Sequence, residues 1–382
     1  MVDQVVEAPF DASLENAEAT LGLERLPVER FDLDEYAEYE ANLLPRAKAF
    51  WEAKTGVIVY RRFRSWPVFS TASNDKQASL EYQLDGLQKS LAFKTDIPNF
   101  IEPWYGIGTI AAAWNDGDFI WKENQAPVLE KKFTNLDDAL ACEPMEVKDS
   151  KVGKFTLEMI DYFLEQTKGK IPMSVTDTQS PLNNASSMMD ISAFFMAMVE
   201  DPEGSKVLLD RVADHHVVFE KLMRSKISDR LVKPGHGFCS SRAFEGIGMS
   251  DDNFVMVSDE TYAEIAAPAF AKVGSAFGGP VLHSCGDWSH KLPLAKEIRG
   301  IVAIDGAFTQ QTDPMRNPAE PFGESLANSG IILEMRCVGS ADLVVDKVKR
   351  AWRPGLKLMV VTYCKTPEEQ EECYDRIHEL CS

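Results

Sequence analysis

The chain has few basic residues for the number of acidic ones. Among 382 residues there are 40 Lys and Arg against 60 Asp and Glu, which gives a formal net charge of -20. A field of that sign repels phosphate backbones and anionic lipid headgroups. The charge balance therefore argues against general nucleic-acid binding and disfavours docking on an anionic membrane surface.

Long apolar runs and targeting segments are also missing. The most apolar run, Ile191 to Val199, has nine residues, whereas a membrane-spanning helix needs about 20. Met1 to Glu15 carries acids where a secretory signal has basic residues, and no apolar segment follows. The seven cysteines are odd in number and irregularly spaced, unlike a disulfide framework. The sequence predicts a soluble cytoplasmic protein whose cysteines are free thiols or metal ligands.

Several motifs that define large enzyme classes do not occur. The chain has no G-x-S-x-G nucleophile turn, no phosphate-binding Walker loop and no protein-kinase motif. The glycine-rich fingerprint of dinucleotide-binding folds is reduced to a lone G-x-G at Gly106 and Gly108. These absences leave no support for a serine hydrolase or a phosphotransferase, and they argue against a dinucleotide-binding domain.

The composition is that of a globular protein, with 45% hydrophobic and 26% charged residues. Short apolar segments alternate with helical ones, which is typical of parallel strands buried on both faces. The predicted strands are Val57–Tyr60, Pro67–Phe69, Asn99–Glu102, Ile171–Thr176, Leu231–Lys233, Val281–His283, Ile301–Ile304, Ile331–Met335 and Leu358–Thr362. The predicted helices include Leu33–Lys54, Leu157–Thr167, Ser205–Ser225, Asp259–Phe277 and Ala341–Ala351.

This alternation predicts an α/β fold, a (β/α)8 TIM barrel over residues 57–382. We expect an acidic N-terminal helical extension over residues 1–56 and an insertion near residues 110–170. A doubly wound sheet is the alternative. The first forty residues hold twelve acids against Arg25 and Arg30, so this arm is either solvated or docks a partner.

Candidate metal ligands stand where predicted strands end, which is where a barrel of this kind carries its chemistry. His283 and Cys285 close one strand, and Cys364 follows the last one. Zinc binds Cys and His in tetrahedral geometry, and a catalytic site keeps one position open for an exchangeable ligand. Two alternatives stay open. Cys337 can replace Cys364 as a ligand, and His236 with Cys239 can form a second metal pair or contact a substrate.

Acidic residues stand at other strand ends. Asp177 follows Ile171–Thr176, Asp251 follows the short run from Gly246 to Ser250, Asp305 follows Ile301–Ile304, and Glu334 closes the run from Ile331 to Leu333. Each is a candidate for proton transfer or for polar substrate contacts, and each can equally cap a helix or support a neighbour by hydrogen bonding. We take Asp177, His236 and Asp251 as the candidate catalytic residues that supply or hold a proton.

The stretch GGPVLHSCG from Gly278 to Gly286 resembles the uroporphyrinogen decarboxylase superfamily and, within it, the cobalamin-dependent methyltransferase branch. The zinc motif of that branch is H-x-C followed far downstream by Cys. The resemblance covers about residues 95 to 380. Further segments that agree with it are Pro103–Thr109, Thr176–Leu182, Gly248–Asp252 and the helical stretch after Asp259.

This resemblance implies a (β/α)8 barrel with zinc on His283, Cys285 and Cys364. It also implies a corrinoid (cobalamin) carried by a corrinoid-binding partner protein. A carboxylate as fourth ligand is expected about twenty residues past the H-x-C, where the chain has Asp305 and then Gln310. The decarboxylase itself is a poor match, because the only nearby basic cluster, Arg61 to Arg64, lacks its arginine-rich substrate signature.

The sequence thus predicts a zinc-dependent methyltransferase that moves a methyl group between a small molecule and a corrinoid protein. The methyl group can pass from a methylated substrate to the corrinoid, or from the corrinoid to a thiol. Aromatic residues near strand ends are compatible with a methoxylated aromatic substrate: Trp66, Phe69, Trp104, Tyr105 and Phe238. The alternatives are a metal-free decarboxylase-type lyase acting on a small acid and a non-catalytic ligand-binding barrel.

Overall fold

The structure is a computed structural model that describes residues 7, 9–11, 22–65, 72–103, 108–116, 119–120 and 127–382. Its strands are β1 Gly56–Arg61, β2 Phe119–Ile120, β3 Val128–Leu129, β4 Ile247–Ser250, β5 Pro280–His283, β6 Ala303–Ala307, β7 Ile332–Cys337 and β8 Lys357–Thr362. Six of these strands form one parallel sheet in the order β1-β8-β7-β6-β5-β4, while β2 and β3 pair antiparallel.

Short hydrogen-bonded segments lie between the two edges of this sheet. The Asp96 N–H donates to the Val59 carbonyl of β1, and isolated parallel bridges join Ile101 to Met173 and Met173 to Leu231. The Gly248 N–H of β4 donates to the Pro234 carbonyl, which links the segment after Leu231 to the edge strand β4. Parallel strands joined in this way bring all their carboxyl ends to one rim.

The helices of the described chain surround the sheet. They are α1 Leu33–Glu52, α2 Lys76–Ser90, α3 Leu136–Ala141, α4 Lys151–Gln166, α5 Pro181–Met188, α6 Ile191–Glu200, α7 Pro202–Ile227, α8 Asp259–Thr261, α9 Ala267–Ser275, α10 Leu292–Glu297, α11 Ala319–Leu326, α12 Ala341–Ala351 and α13 Pro367–Leu380. A π-helical turn, Tyr262–Ala266, joins α8 to α9. Asp32 caps α1 by accepting from the N–H groups of Asp34 and Glu35, which satisfies two donors that the first helical turn leaves unpaired.

The core is apolar on both faces of the sheet. Alternate β8 side chains enter two buried clusters: Leu358 and Val360 pack in one, and Met359 and Val361 in the other. Because every β8 side chain is buried, the strand reads as a continuous apolar run, as the sequence indicated.

The α/β class and the alternation of parallel strands with helices are confirmed, and the fold is barrel-like. The prediction for α12 matches the structure at both ends. The predicted strands around Ile101, Met173 and Leu231 form isolated bridges only, and Pro67–Phe69 lies outside the described residues. In the described part of the chain, no helix combines the length and hydrophobicity needed to cross a membrane.

Candidate active site

Three potential metal ligands converge at the carboxyl ends of β4 and β5. Ligand atoms of Asp252, His283 and Cys285 all lie within 4.8 Å of one another. Cys285 Sγ is 3.6 Å from His283 Nε2, and Asp252 Oδ1 is 3.9 Å from the same nitrogen. Nitrogen, thiol sulfur and carboxylate oxygen are all donors that zinc accepts. We call these three residues the ligand group.

The local backbone explains this convergence. Ser250 pairs with His283 in the β4–β5 register, so the residues that follow β4 emerge beside the end of β5. The Cys285 N–H then donates to Asp252 Oδ1 at 3.2 Å. Gly286 has a φ of +76°, a backbone conformation that glycine adopts without steric cost, and it turns the chain directly after Cys285.

His283 is oriented by a buried carboxylate on the neighbouring strand. Asp305 of β6 lies opposite His283 in the register, and its Oδ1 is 2.5 Å from His283 Nδ1. A carboxylate at Nδ1 favours the tautomer with the proton on that nitrogen, which leaves the lone pair on Nε2, the nitrogen that faces Cys285. The two sequence-predicted residues therefore meet, but Asp305 supports the histidine instead of acting as a fourth ligand.

Arg336 completes the environment of this pair. Its Nε donates to both carboxylate oxygens of Asp305, at 2.9 and 3.0 Å. Burial raises the pKa of Asp305, but the Arg336 guanidinium and His283 outweigh it and hold that pKa below its usual value. Arg336 Nη2 also lies 3.1 Å from His283 Nε2. The same Nη2 also contacts His283 Nδ1, so the guanidinium lies along the edge of the ring that carries both nitrogens. A metal ion on Nε2 would displace the contact with that nitrogen.

Cys364 does not lie in the ligand group. Its thiol pairs with that of Cys373 on α13, and its carbonyl accepts from Arg61 Nε at 2.8 Å. Side chains alternate along extended chain, and Thr362, two residues earlier, bonds Gln370 of the same helix. Cys364 therefore shares the face of β8 that points to α13. The structure thus differs from the predicted set of His283, Cys285 and Cys364 by placing Asp252 where Cys364 was expected.

Cys337 and Gln310, the other residues that the sequence offered as metal ligands, also lie outside the ligand group. Cys337 is buried in the same apolar cluster as Cys364, and burial raises its thiol pKa to about 12. The Gln310 backbone N–H donates to Glu7. Cys285 is exposed at the rim, but the surrounding protein removes much of the solvent from its thiol, which raises the pKa of Cys285, and the Asp252 carboxylate raises it further. Without a metal ion, Cys285 is therefore a neutral thiol at neutral pH.

A second cluster lies on the same rim and includes a residue that was not predicted. His236 Nδ1 is 2.7 Å from Glu102 Oε2, and His236 Nε2 is 3.9 Å from Asp177 Oδ2. Burial raises the pKa of Asp177, whereas His236 and two arginines hold the pKa of Glu102 below its usual value despite its burial. Inspecting the residue at each predicted strand end would have found Glu102, since it closes the predicted strand Asn99–Glu102.

The third proton-transfer candidate, Asp251, bonds to the end of β5 and to the π-helical turn. Its backbone N–H donates to the His283 carbonyl at 2.7 Å, and its carboxylate accepts from the Tyr262 hydroxyl at 2.8 Å. Burial raises the pKa of Asp251 to about 7. Asp251 therefore joins the end of β4 to β5 and to the π-helical turn, which is a positioning role.

Glu334 on β7 contacts Cys239. The Cys239 N–H donates to Glu334 Oε1 at 2.7 Å, and burial raises the pKa of Glu334 to about 8.

Among the described residues, only the ligand group brings together three or more potential metal ligands. His236 and Cys239 are not part of it. Of the aromatic candidates, Phe238 is buried, and the other four lie outside the described residues.

Comparisons with known proteins support the same class of fold. Residues 107–226 match the family model of uroporphyrinogen decarboxylase (URO-D), which confirms the resemblance seen in the sequence. Among solved structures, a methyltransferase from Methanosarcina mazei superposes with a TM-score of 0.63 at 14% identity. The match covers 89% of this chain and 98% of that one. A comparison with curated proteins gave no match.

Proposed function

We propose that this protein is a methyltransferase that moves a methyl group between a small molecule and a corrinoid carried by a partner protein. The observation that carries the proposal is the ligand group at the strand ends, with Asp305 behind His283. The match to the URO-D family model and the fold shared with a methyltransferase support it.

The residues present fit a catalytic zinc ion. One imidazole, one thiol and one carboxylate make three protein ligands, and a catalytic site leaves the fourth position for an exchangeable ligand. A carboxylate on the far nitrogen of the histidine is the usual support for such a ligand. When bound, zinc would act as a Lewis acid on an oxygen or sulfur atom of the substrate.

The protein's own residues have three tasks in this proposal. Asp305 keeps the proton of His283 on Nδ1, so that Nε2 faces Cys285. Asp252 accepts the Cys285 N–H and holds the two strand ends together. Arg336 balances the charge of Asp305. The small molecule and the corrinoid partner both approach from the rim, where the ligand group is reached from solvent through the exposed Cys285.

Zinc content tests the ligand set directly. We expect about one zinc per chain in protein purified without a polyhistidine tag under reducing conditions, measured by plasma mass spectrometry. Cys285→Ser should lose the metal, and Cys364→Ser should retain it, because the Cys364 thiol faces α13. Cys142→Ser, which changes a thiol distant in sequence from the site, is the matched control.

Zinc contents that differ from these expectations would each contradict a particular part of the proposal. Loss of zinc in Cys364→Ser would show that Cys364 turns into the site and would restore the ligand set predicted from the sequence. Wild-type protein that takes up no zinc even after incubation with the ion would contradict the proposed zinc site. In the metal-loaded protein, transfer of methyl groups to or from an added corrinoid protein tests the activity itself.

One observation favours a second candidate, a metal-free lyase acting on a small acid. The Arg336 guanidinium, which pairs with Asp305, also contacts both ring nitrogens of His283, and a cation beside a nitrogen that would hold a metal ion is the arrangement expected where no metal binds. This candidate predicts no zinc, no need for a corrinoid protein, and release of carbon dioxide from a small acid. The same metal measurement separates it from the methyltransferase.

A further inference from the structure

The first turn of α5 packs against the loop that carries Asp252. The Ser180 N–H donates to the Ser250 carbonyl, at the end of β4, over 3.0 Å. Asn183 Oδ1 accepts from the Asn253 backbone N–H at 3.2 Å and from Asn253 Nδ2 at 2.9 Å. The same turn of helix therefore binds residues that come before and after Asp252.

Asn183 also reaches the Asp252 carboxylate itself. Its Nδ2 lies 3.5 Å from Asp252 Oδ2 and 3.4 Å from Gln179 Oε1. These contacts fix the orientation of the amide, because Oδ1 faces two N–H donors and Nδ2 faces two oxygen acceptors. Asp252 Oδ1 accepts the Cys285 N–H at 3.2 Å and lies 3.9 Å from His283 Nε2. Asn183 therefore contacts one carboxylate oxygen while the other is directed at the rest of the ligand group.

The backbone that leads into α5 is strained at Gln179, whose φ is +52°. Three other non-glycine residues of the described chain have a positive φ: Lys168, Ser228 and Asn328. Each of these three follows the end of a helix, where a left-handed residue is common. Gln179 instead precedes Ser180, the N-cap of α5. Such strain persists only where the surroundings hold it, and it collects at functional sites.

Asp252 needs support of this kind, because its side chain keeps 43% of its surface exposed. Holding an exposed side chain in one rotamer costs conformational entropy, which reduces the free energy gained when a metal binds. Hydrogen bonds that orient a ligand before the metal arrives remove part of that cost. Asp305 has this role for His283, and Asn183 is placed to have it for Asp252.

We propose that Asn183 is a positioning residue that orients Asp252 as the third ligand of the metal. This inference rests on the proposed function, since it requires the zinc site. Asn183 touches neither the metal nor the substrate and acts through Asp252 alone. Its removal therefore weakens metal binding in the wild-type site and has no further effect once Asp252 has been removed.

A double-mutant cycle tests this dependence. Competition with a chelator measures zinc affinity in the wild type, in Asn183→Ala, in Asp252→Ala and in the double variant. We expect Asn183→Ala to lower the affinity by about 10–100-fold, the usual effect of losing a hydrogen-bond partner behind a metal ligand. The double variant should bind zinc as weakly as Asp252→Ala and no more weakly, because Asn183 then has no ligand to orient.

Cobalt(II) in place of zinc provides a second measurement, which a loss of folding stability does not change. A Cys285 thiolate on cobalt gives a charge-transfer absorption, and the visible bands report the geometry of the ligands. Asn183→Ala should keep the charge-transfer band and shift the visible bands toward the spectrum of Asp252→Ala.

The matched control is Asn184→Ala, which changes the next residue of α5. The Asn184 side chain bonds the backbone of Thr178, Ser180 and Ala111, and none of these bonds goes to the loop that carries Asp252. Asn184→Ala should therefore lower the melting temperature and keep the zinc affinity of the wild type. An equal loss of affinity in the two asparagine variants would overturn the inference, because it would show a general defect of the helix.

Failure of the inference is distinguishable from failure of the proposed function. Wild-type affinity in Asn183→Ala, or additive losses in the double variant, would overturn the positioning role and leave the zinc site standing. Unchanged affinity in Asp252→Ala would overturn it as well, since Asp252 would then not be a ligand. Wild-type protein that binds neither zinc nor cobalt would overturn both the positioning role and the proposed zinc site.

Discussion

At the scale of single residues, the site depends on buried charge. Asp305 is fully buried and is held ionised by Arg336 and His283. A buried ion pair contributes little net stability, but removing one partner leaves the other charge uncompensated. The same carboxylate therefore fixes the orientation of His283, the proposed metal ligand, and the charge balance behind it.

Asp305→Asn tests this double role. We expect zinc affinity to fall by about 10–100-fold, because the amide no longer fixes the protonation of His283. We also expect a loss of unfolding free energy of about 1–3 kcal/mol, since the half-buried Arg336 loses its counterion. Competition with a chelator measures the first effect and urea denaturation the second. An unchanged zinc affinity would show that Asp305 does not orient the ligand.

At the scale of secondary-structure elements, α11 and α12 pack closely because a glycine stands where they meet. Gly323 lies in the middle of α11, and a Cβ atom built on it would stand 1.7 Å from the Ala351 carbonyl oxygen at the end of α12. Real Cβ atoms do not approach a carbonyl oxygen this closely. The two helices can therefore cross at this distance only because residue 323 is glycine.

Gly323→Ala is accordingly expected to destabilise the fold. Alanine favours helix formation, but the clash is with backbone, which cannot rotate away, and overpacking of this kind costs about 1–3 kcal/mol. Glu324→Ala, on the exposed face of the same helix, is the control and should change stability little. Urea midpoints compare the two variants, and a midpoint for Gly323→Ala equal to the wild type would contradict the packing argument.

At the scale of the whole molecule, an N-terminal segment contacts the loop beside the ligand group. Glu7 accepts the Gln310 N–H at 2.7 Å, pairs with Arg316 at 3.1 Å and contacts Lys347 of α12. The loop that it holds also carries Asp313, whose Oδ2 accepts the Gly286 N–H at 2.9 Å. The sequence left two alternatives for the acidic arm, a solvated segment or one that docks a partner. Glu7 fits neither alternative, because it contacts residues of its own chain.

Glu7→Ala should release this contact. In hydrogen exchange, the amide of Gln310 should exchange faster, because it loses its acceptor, while Glu38→Ala on the exposed face of α1 should leave it unchanged. Burial raises the pKa of Glu7, but Lys347, Gln310 and Arg316 outweigh it and hold the pKa below 4.5. The contact therefore stabilises the fold fully above about pH 4.5 and is lost as the pH falls through the lower, folded-state pKa. Equal exchange in both variants would show that Glu7 does not hold the loop.

The sequence by itself determined the features that depend on local pattern. The alternation of apolar strands and amphipathic helices fixed the α/β class, and the capped helix at Ala341–Ala351 matched the structure because its periodicity is strong. It marked β4 only by the short run from Gly246 to Ser250 before Asp251, since Gly246 and Gly248 interrupt the apolar pattern that marked the other strands. His283 and Cys285 were found because they close a strand and lie two residues apart.

Only the tertiary structure decided which distant residues share the site. Asp252 joins the ligand group through the β4–β5 register, and Glu102 meets His236 across a sequence separation of 134 residues. Cys364 has the expected position at the end of β8, but its side chain faces α13. The direction of a side chain just beyond a strand depends on the helix that packs against it, and one turn of the backbone reverses that direction without changing the sequence pattern.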